Sequence, residues 1–118
     1  MALDSGKVLV MAARQPDFAE LLERAGFEVE LRTRPLADPD EAKADVAVIF
    51  RGRLIGRSQA PTLVKRGIPV VEVLTVEPPS TSTADWIRLS NRVAKADLAQ
   101  VVHALAAWSR QRDTVRTT

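Results

Sequence analysis

Apolar positions fall along the chain in three ways, and each predicts a different kind of element. Lys7-Val-Leu-Val-Met11, Val46–Phe50 and Ile68–Thr75 are short, nearly unbroken apolar runs rich in β-branched residues. Such runs predict strands covered on both faces. Phe27–Thr33 instead alternates apolar and polar residues, which predicts an edge strand with one wet face. A third pattern recurs at i, i+3, i+4 and i+7. It places Phe18, Leu21, Leu22 and Ala25 on one side of a helix opened by Pro16 and closed by Gly26. Leu98, Val101, Val102, Leu105 and Trp108 form the same kind of stripe on a final helix, with Asp97 as its cap.

Between Val46–Phe50 and Ile68–Thr75 there is room for one short helix, with Ser58 as N-cap, Pro61 in the first turn and Gly67 as the stop. Ala60, Leu63 and Val64 are its inward residues. Asp38–Lys43 combines a turn signal with space for at most about two helical turns. Val76–Thr83 is a loop rich in proline and hydroxyls, and Thr83 is read as a helix start. Residues 87–93 fit a short helix or a fifth strand equally well. Glu72 interrupts its apolar run, so it is expected near a sheet edge or beneath a charged partner.

Successive parallel strands need right-handed crossovers, which place helices on both faces of one sheet. The expected fold is α/β, a small doubly wound parallel sheet in a three-layer sandwich, with strand order 2-1-3-4 and a fifth strand open. Residues 1–112 are expected to form one domain and 113–118 a flexible polar tail. The length of 118 residues suits a single core and not two.

Composition narrows the chemistry. The sequence has no cysteine and one histidine, His103, which argues against a zinc-type site and excludes a cysteine nucleophile. No metal or cofactor is expected. No apolar run approaches the roughly 20 residues that span a bilayer, and a cytoplasmic location without membrane contact is expected. The net charge is only +2, but arginine dominates and the pI is about 9.5, so the arginines are worth placing.

In a doubly wound sheet, ligands bind outside the carboxyl ends of the strands, where the strand order reverses. The residues following the strands there include Arg14, Arg32, Arg34, Arg51, Gly52, Arg53, Arg57 and Thr75. Two readings stay open. The arginines are solvated or paired with acids such as Glu72, Glu77 and Asp85, or they form a rim for an anionic partner. Guanidinium groups grip carboxylate and phosphate bidentately, and the helix N-termini add positive potential at the same rim. Arg51-Gly-Arg is the most suggestive piece, because a glycine between two arginines admits a ligand close to the backbone. Neither G-x-G-x-x-G nor a P-loop is present, and no base accompanies the hydroxyls of 80–83. An enzyme is therefore not expected.

Three segments resemble a response-regulator receiver domain, a flavodoxin-like fold. Lys7-Val-Leu-Val-Met-Ala-Ala-Arg-Gln-Pro-Asp-Phe-Ala-Glu-Leu-Leu-Glu resembles the family's first strand and helix. Ile68-Pro-Val-Val-Glu-Val-Leu-Thr75 resembles its fourth strand with the switch hydroxyl. Val93-Ala-Lys95-Ala-Asp-Leu-Ala-Gln-Val-Val resembles the region of its lysine and last helix. The family's metal-binding acids would fall at Ala12 and Ala13, and its phosphoacceptor at Phe50. None of these carboxylates is present, so the resemblance implies a pseudo-receiver in which Thr75 and Lys95 are remnants or contact residues.

The expected function is a non-enzymatic regulatory or adaptor module for signal transduction, independent of phosphorylation. It would bind a protein partner through the arginine rim or the final helix. The alternative is a nucleotide- or anion-binding domain using the same rim. A homodimer is compatible with the sequence. Nucleic acid is disfavoured, because the chain shows no aromatic platform or helix-turn-helix signal.

Overall fold

Lys7–Met11 forms β1, and every residue in it except Lys7 is buried. In the computed structural model, which describes residues 6–12, 16–33, 37–38, 43–50, 59–74, 85–90 and 92–117, seven further elements follow. They are α1 (Pro16–Arg24), β2 (Glu28–Arg32), β3 (Val46–Phe50), α2 (Ala60–Lys65), β4 (Val70–Leu74), β5 (Trp86–Ser90) and α3 (Lys95–Thr117). The strands form one parallel sheet in the order β2-β1-β3-β4-β5. The doubly wound α/β sandwich expected from the sequence is the fold observed.

Alternation along each strand divides the core in two. Val8, Val10, Val46, Val48, Val71 and Val73 face one side, where Phe18 and Leu22 of α1 and Leu98, Val102 and Leu105 of α3 cover them. Leu9, Met11, Ala47, Ile49 and Val70 face the other side, against Ala60 and Leu63 of α2. Each fully buried valine or leucine contributes roughly 1.5–3 kcal/mol of transfer free energy. The sheet is covered because its central strands have no polar face to offer water.

Helices α1 and α2 stop in the same way. The Phe27 N–H reaches Leu22 O and the Gly26 N–H reaches Glu23 O, while Ile68 N–H and Gly67 N–H reach Leu63 O and Val64 O. Both are Schellman closures, and they need a left-handed residue at Gly26 (φ 98°) and Gly67 (φ 87°).

Several local expectations change. Residue 59, not Ser58, stands at the N-cap of α2, and the Gln59 side chain makes no capping bond; Ser58 lies outside the described residues. Helix α3 begins two residues before Asp97. Ala94 O accepts the first bond, from Leu98 N–H at 2.9 Å, so Asp97 sits in the first turn as a favourable charge at the dipole's positive end. Ala25 is exposed and Ala19 buried in its place on the inner face of α1. Ser109, not Trp108, completes the buried stripe of α3, because a helix face entered at Leu98, Val102 and Leu105 reaches 109 one turn later. The same helix runs to Thr117.

The fifth strand exists. Asp85 lies in a turn and Trp86 opens a strand, so a helix does not start here; Thr83 and Ala84 themselves are outside the described residues, as is most of the Asp38–Lys43 segment. No helix among the described residues is long and apolar enough to cross a membrane.

Candidate functional site: the carboxyl end of the sheet

The strand order reverses between β1 and β3, and the crevice outside their carboxyl ends is the place where this fold offers a site. The residues described there are apolar. Ala12, directly after β1, is buried. Phe50 closes β3 and meets Phe18 of α1 edge to face, with ring centroids 5.6 Å apart and planes at 74°. That geometry suits the aromatic quadrupoles, and it places hydrocarbon at the end of β3. A divalent cation such as Mg²⁺ requires oxygen ligands, and the methyl of Ala12 and the ring of Phe50 do not fit it.

Lys95 and Arg32 are the only candidate site residues among the described residues. Lys95 is the first residue of α3, and its Nζ lies 4.0 Å from Asp17 Oδ2 in the first turn of α1. Both side chains are more than half exposed, so this pair contributes little stability. Arg32 ends β2 and binds Glu30 through Nε at 2.6 Å; Lys7 Nζ approaches the other oxygen of Glu30 at 3.1 Å. Arg32 thus has a carboxylate of its own, one that did not figure among the acids expected to pair with the arginines. Arg14, Arg34, Arg51, Gly52, Arg53, Arg57 and Thr75 lie outside the described residues.

The Arg32 hydrogen bond, then that of Lys7, holds the Glu30 carboxyl below the ordinary glutamate range. A depressed folded value stabilises the fold while the carboxylate is ionised. The gain is full above the unfolded pKa and disappears as pH falls through the folded one. Wild type should therefore melt above Glu30→Gln at neutral pH, and the gap should close at acid pH in parallel thermal melts.

A polar group that residue patterns did not assemble lies on the α2 side of the sheet. Glu72 of β4 is only 4% exposed. Trp86 Nε1–H donates to Glu72 Oε1 at 3.0 Å, and Arg88 Nε lies 3.6 Å from the same oxygen. The Arg88 guanidinium in turn sits 4.1 Å from the centroid of the Trp86 ring. Glu72 and Arg88 are register partners across β4 and β5. Glu72 therefore lies beneath a charged partner, as its place in an apolar run required. The signal that could have found Arg88 is its alternation phase, polar between Ile87 and Leu89, but it becomes readable only once β5 is accepted as a strand. His103 is exposed on α3 and stands edge-on to Phe27 at 5.9 Å.

Comparison with known proteins follows the fold. A response regulator receiver protein from Sinorhizobium medicae WSM419 superposes with a TM-score of 0.67, at 18% sequence identity, covering 87% of this chain and 95% of that one. The fold is receiver-like. No family model and no curated protein sequence matches the chain. At this identity the likeness concerns architecture, and what the receiver-like sheet carries must be read from its own residues.

Proposed function

We propose that the protein is a regulatory module of pseudo-receiver type that binds a partner protein and does not carry out phosphoryl transfer. One observation carries this reading. The strand end that faces the reversal point of a receiver-like sheet holds Phe50, packed on Phe18 at 5.6 Å. A carboxylate is the nucleophile and the metal ligand that phosphoryl transfer at this position needs, and an aromatic ring supplies neither function. A module of this kind would respond to a partner's presence and not to its own modification. The test is incubation with a small-molecule phosphodonor and Mg²⁺, followed by intact mass and thermal melting. Unchanged mass and midpoint are expected; a phosphoryl adduct on an aspartate overturns the reading.

Arg51-Gly52-Arg53 directly follows Phe50 in the sequence, and this favours a second reading, an anionic small molecule held at the same rim. A nucleotide, cyclic dinucleotide or inorganic phosphate that binds the folded state raises the melting temperature by mass action. The expected result for any such binder is a midpoint shift that Arg51→Ala plus Arg53→Ala abolishes while the unliganded midpoint stays put. A panel of these anions that shifts nothing removes this reading and leaves the protein-binding one.

A further inference from the structure

The edge strand β2 carries an arrangement that the crevice does not use. It is the terminal strand of the sheet and, among the described residues, pairs with β1 alone. Its even-numbered residues turn their backbone toward β1. Glu28 N–H donates to Gly6 O at 2.9 Å, and Arg32 O accepts from Ala12 N–H at 2.9 Å. A parallel ladder uses alternate residues of each strand in this way. Val29, Leu31 and the following Thr33 therefore present their N–H and C=O groups to the open edge. Leu31 is also 41% exposed, although its register partner Val10 is fully buried.

We propose that β2 is a dimer interface, in which two copies of the chain pair β2 with β2, antiparallel, about a two-fold axis through Leu31. The two sheets would then continue as one. The sequence Glu28-Val-Glu-Leu-Arg-Thr-Arg34 is charge-complementary to itself when reversed about Leu31. In that register Glu30 faces Arg32 of the second copy; by sequence count alone residue 34, outside the described residues, matches Glu28. Val29 faces Thr33, and Leu31 faces Leu31. The described charges Glu30 and Arg32 meet their opposites, and a two-fold axis makes that pair twice.

Neighbouring registers are poorer on charge. An axis through Glu30 pairs Glu28 with Arg32 but sets the two Glu30 side chains directly against each other, and one through Val29 opposes Glu28 to Glu30 twice. Like charges directly opposite destabilise a strand pair. The backbone agrees with the Leu31 axis. Val29, Leu31 and Thr33, with outward groups, become hydrogen-bonded pairs, and the charged residues take the non-bonded positions where side chains approach closest. Charges on an edge ordinarily deter pairing, but that defence works when a strand repels its copy, and this one attracts it. The exposed Leu31 gains an apolar partner on the axis. Arg51 and Arg53 play no part, so the Arg51→Ala plus Arg53→Ala test of the anion reading leaves this association unchanged.

The experiment is sedimentation equilibrium of the full chain from low micromolar to near-millimolar concentration, at low and high salt. A concentration-dependent dimer that weakens in high salt is expected, because the paired charges are screened. Leu31→Lys should weaken association about tenfold or more by placing like charges on the axis, with circular dichroism and melting unchanged. The chain has no native cysteine, so Leu31→Cys supplies a second readout. Cα atoms about 5.5 Å apart in a hydrogen-bonded pair lie within disulfide range, and mild oxidation should give a covalent dimer. Lys65→Cys, exposed on α2, should not cross-link at a comparable rate. A chain that stays monomeric throughout overturns the proposal. So does a dimer indifferent to Leu31→Lys whose Leu31→Cys variant cross-links no faster than Lys65→Cys.

Discussion

Phe50→Asp is expected to lower the unfolding free energy by about 2–4 kcal/mol, from lost ring packing and a desolvated carboxylate. It is also expected to leave the protein unlabelled by a phosphodonor. Phe50 is half-buried and shares an edge-to-face contact with the fully buried Phe18. Removing the ring opens a gap over Phe18 that the strand end cannot close by itself, while the introduced carboxylate is partly denied water. Restoring the nucleophile alone does not restore the chemistry. On the resemblance to receivers, the acids that would hold a charge-neutralising divalent cation are replaced by Ala12 and Ala13, so the new carboxylate and an incoming phosphoryl group would meet as two anions with no cation between them. Urea unfolding gives the first quantity and intact mass the second. A stable, readily phosphorylated Phe50→Asp protein would show that the crevice still works as a reaction centre and would remove the basis for the pseudo-receiver reading.

The same residue illustrates what the sequence could deliver. Val46–Phe50 reads as a buried strand because β-branched residues without polar interruption have no other low-energy place in a small α/β chain. The three buried strands, the first helix and the order of the sheet follow from that reasoning. The fifth strand does not. Trp86, Ile87 and Leu89 are all partly buried at the sheet margin, and a half-covered strand of five residues leaves a period too short to separate from one helical turn. Trp108 and Ser109 show a second limit. Hydrophobicity ranks the tryptophan as core, while the helix phase set by Leu98, Val102 and Leu105 buries the serine.

The candidate site was legible only as an inventory. Residue types after each strand could be read off, and Arg32 and Lys95 do stand at the ends of elements. Their partners could not be read. Glu30 lies two residues from Arg32, on the same side of an extended strand, a pairing that looks trivial once β2 is known to be open. The Lys95–Asp17 contact joins the first turns of the first and last helices, and only the crossover geometry brings those turns together.

The polar group on the other side of the sheet yields the second large expectation. Arg88→Met should cost about 3 kcal/mol, because removing one partner of a buried ion pair weakens the compensation of the charge left behind. Glu72 is 4% exposed, so water cannot replace the guanidinium, and the Trp86 N–H at 3.0 Å remains as a weaker donor to the same oxygen. Glu72→Met combined with Arg88→Met should recover most of the loss, since a well-packed apolar pair often matches a buried salt bridge in stability. The double variant then loses far less than the sum of the two single losses, which is a large coupling between the two sites in a double-mutant cycle. Urea midpoints at constant m-value give all four corners. A double variant as unstable as Arg88→Met alone would mean that the cost lies in lost packing of Arg88 over the Trp86 ring, 4.1 Å away, and not in a stranded carboxylate. The recovered variant would also show what the charges are for. Glu72 and Arg88 face each other in register across β4 and β5, and a one-residue slip turns Arg88 to the opposite face and brings Ile87 or Leu89 opposite the carboxylate. The expected role of the pair is therefore to hold β5 in register, which amide exchange of β5 slower in wild type than in the double variant would bear out and equal exchange would refute.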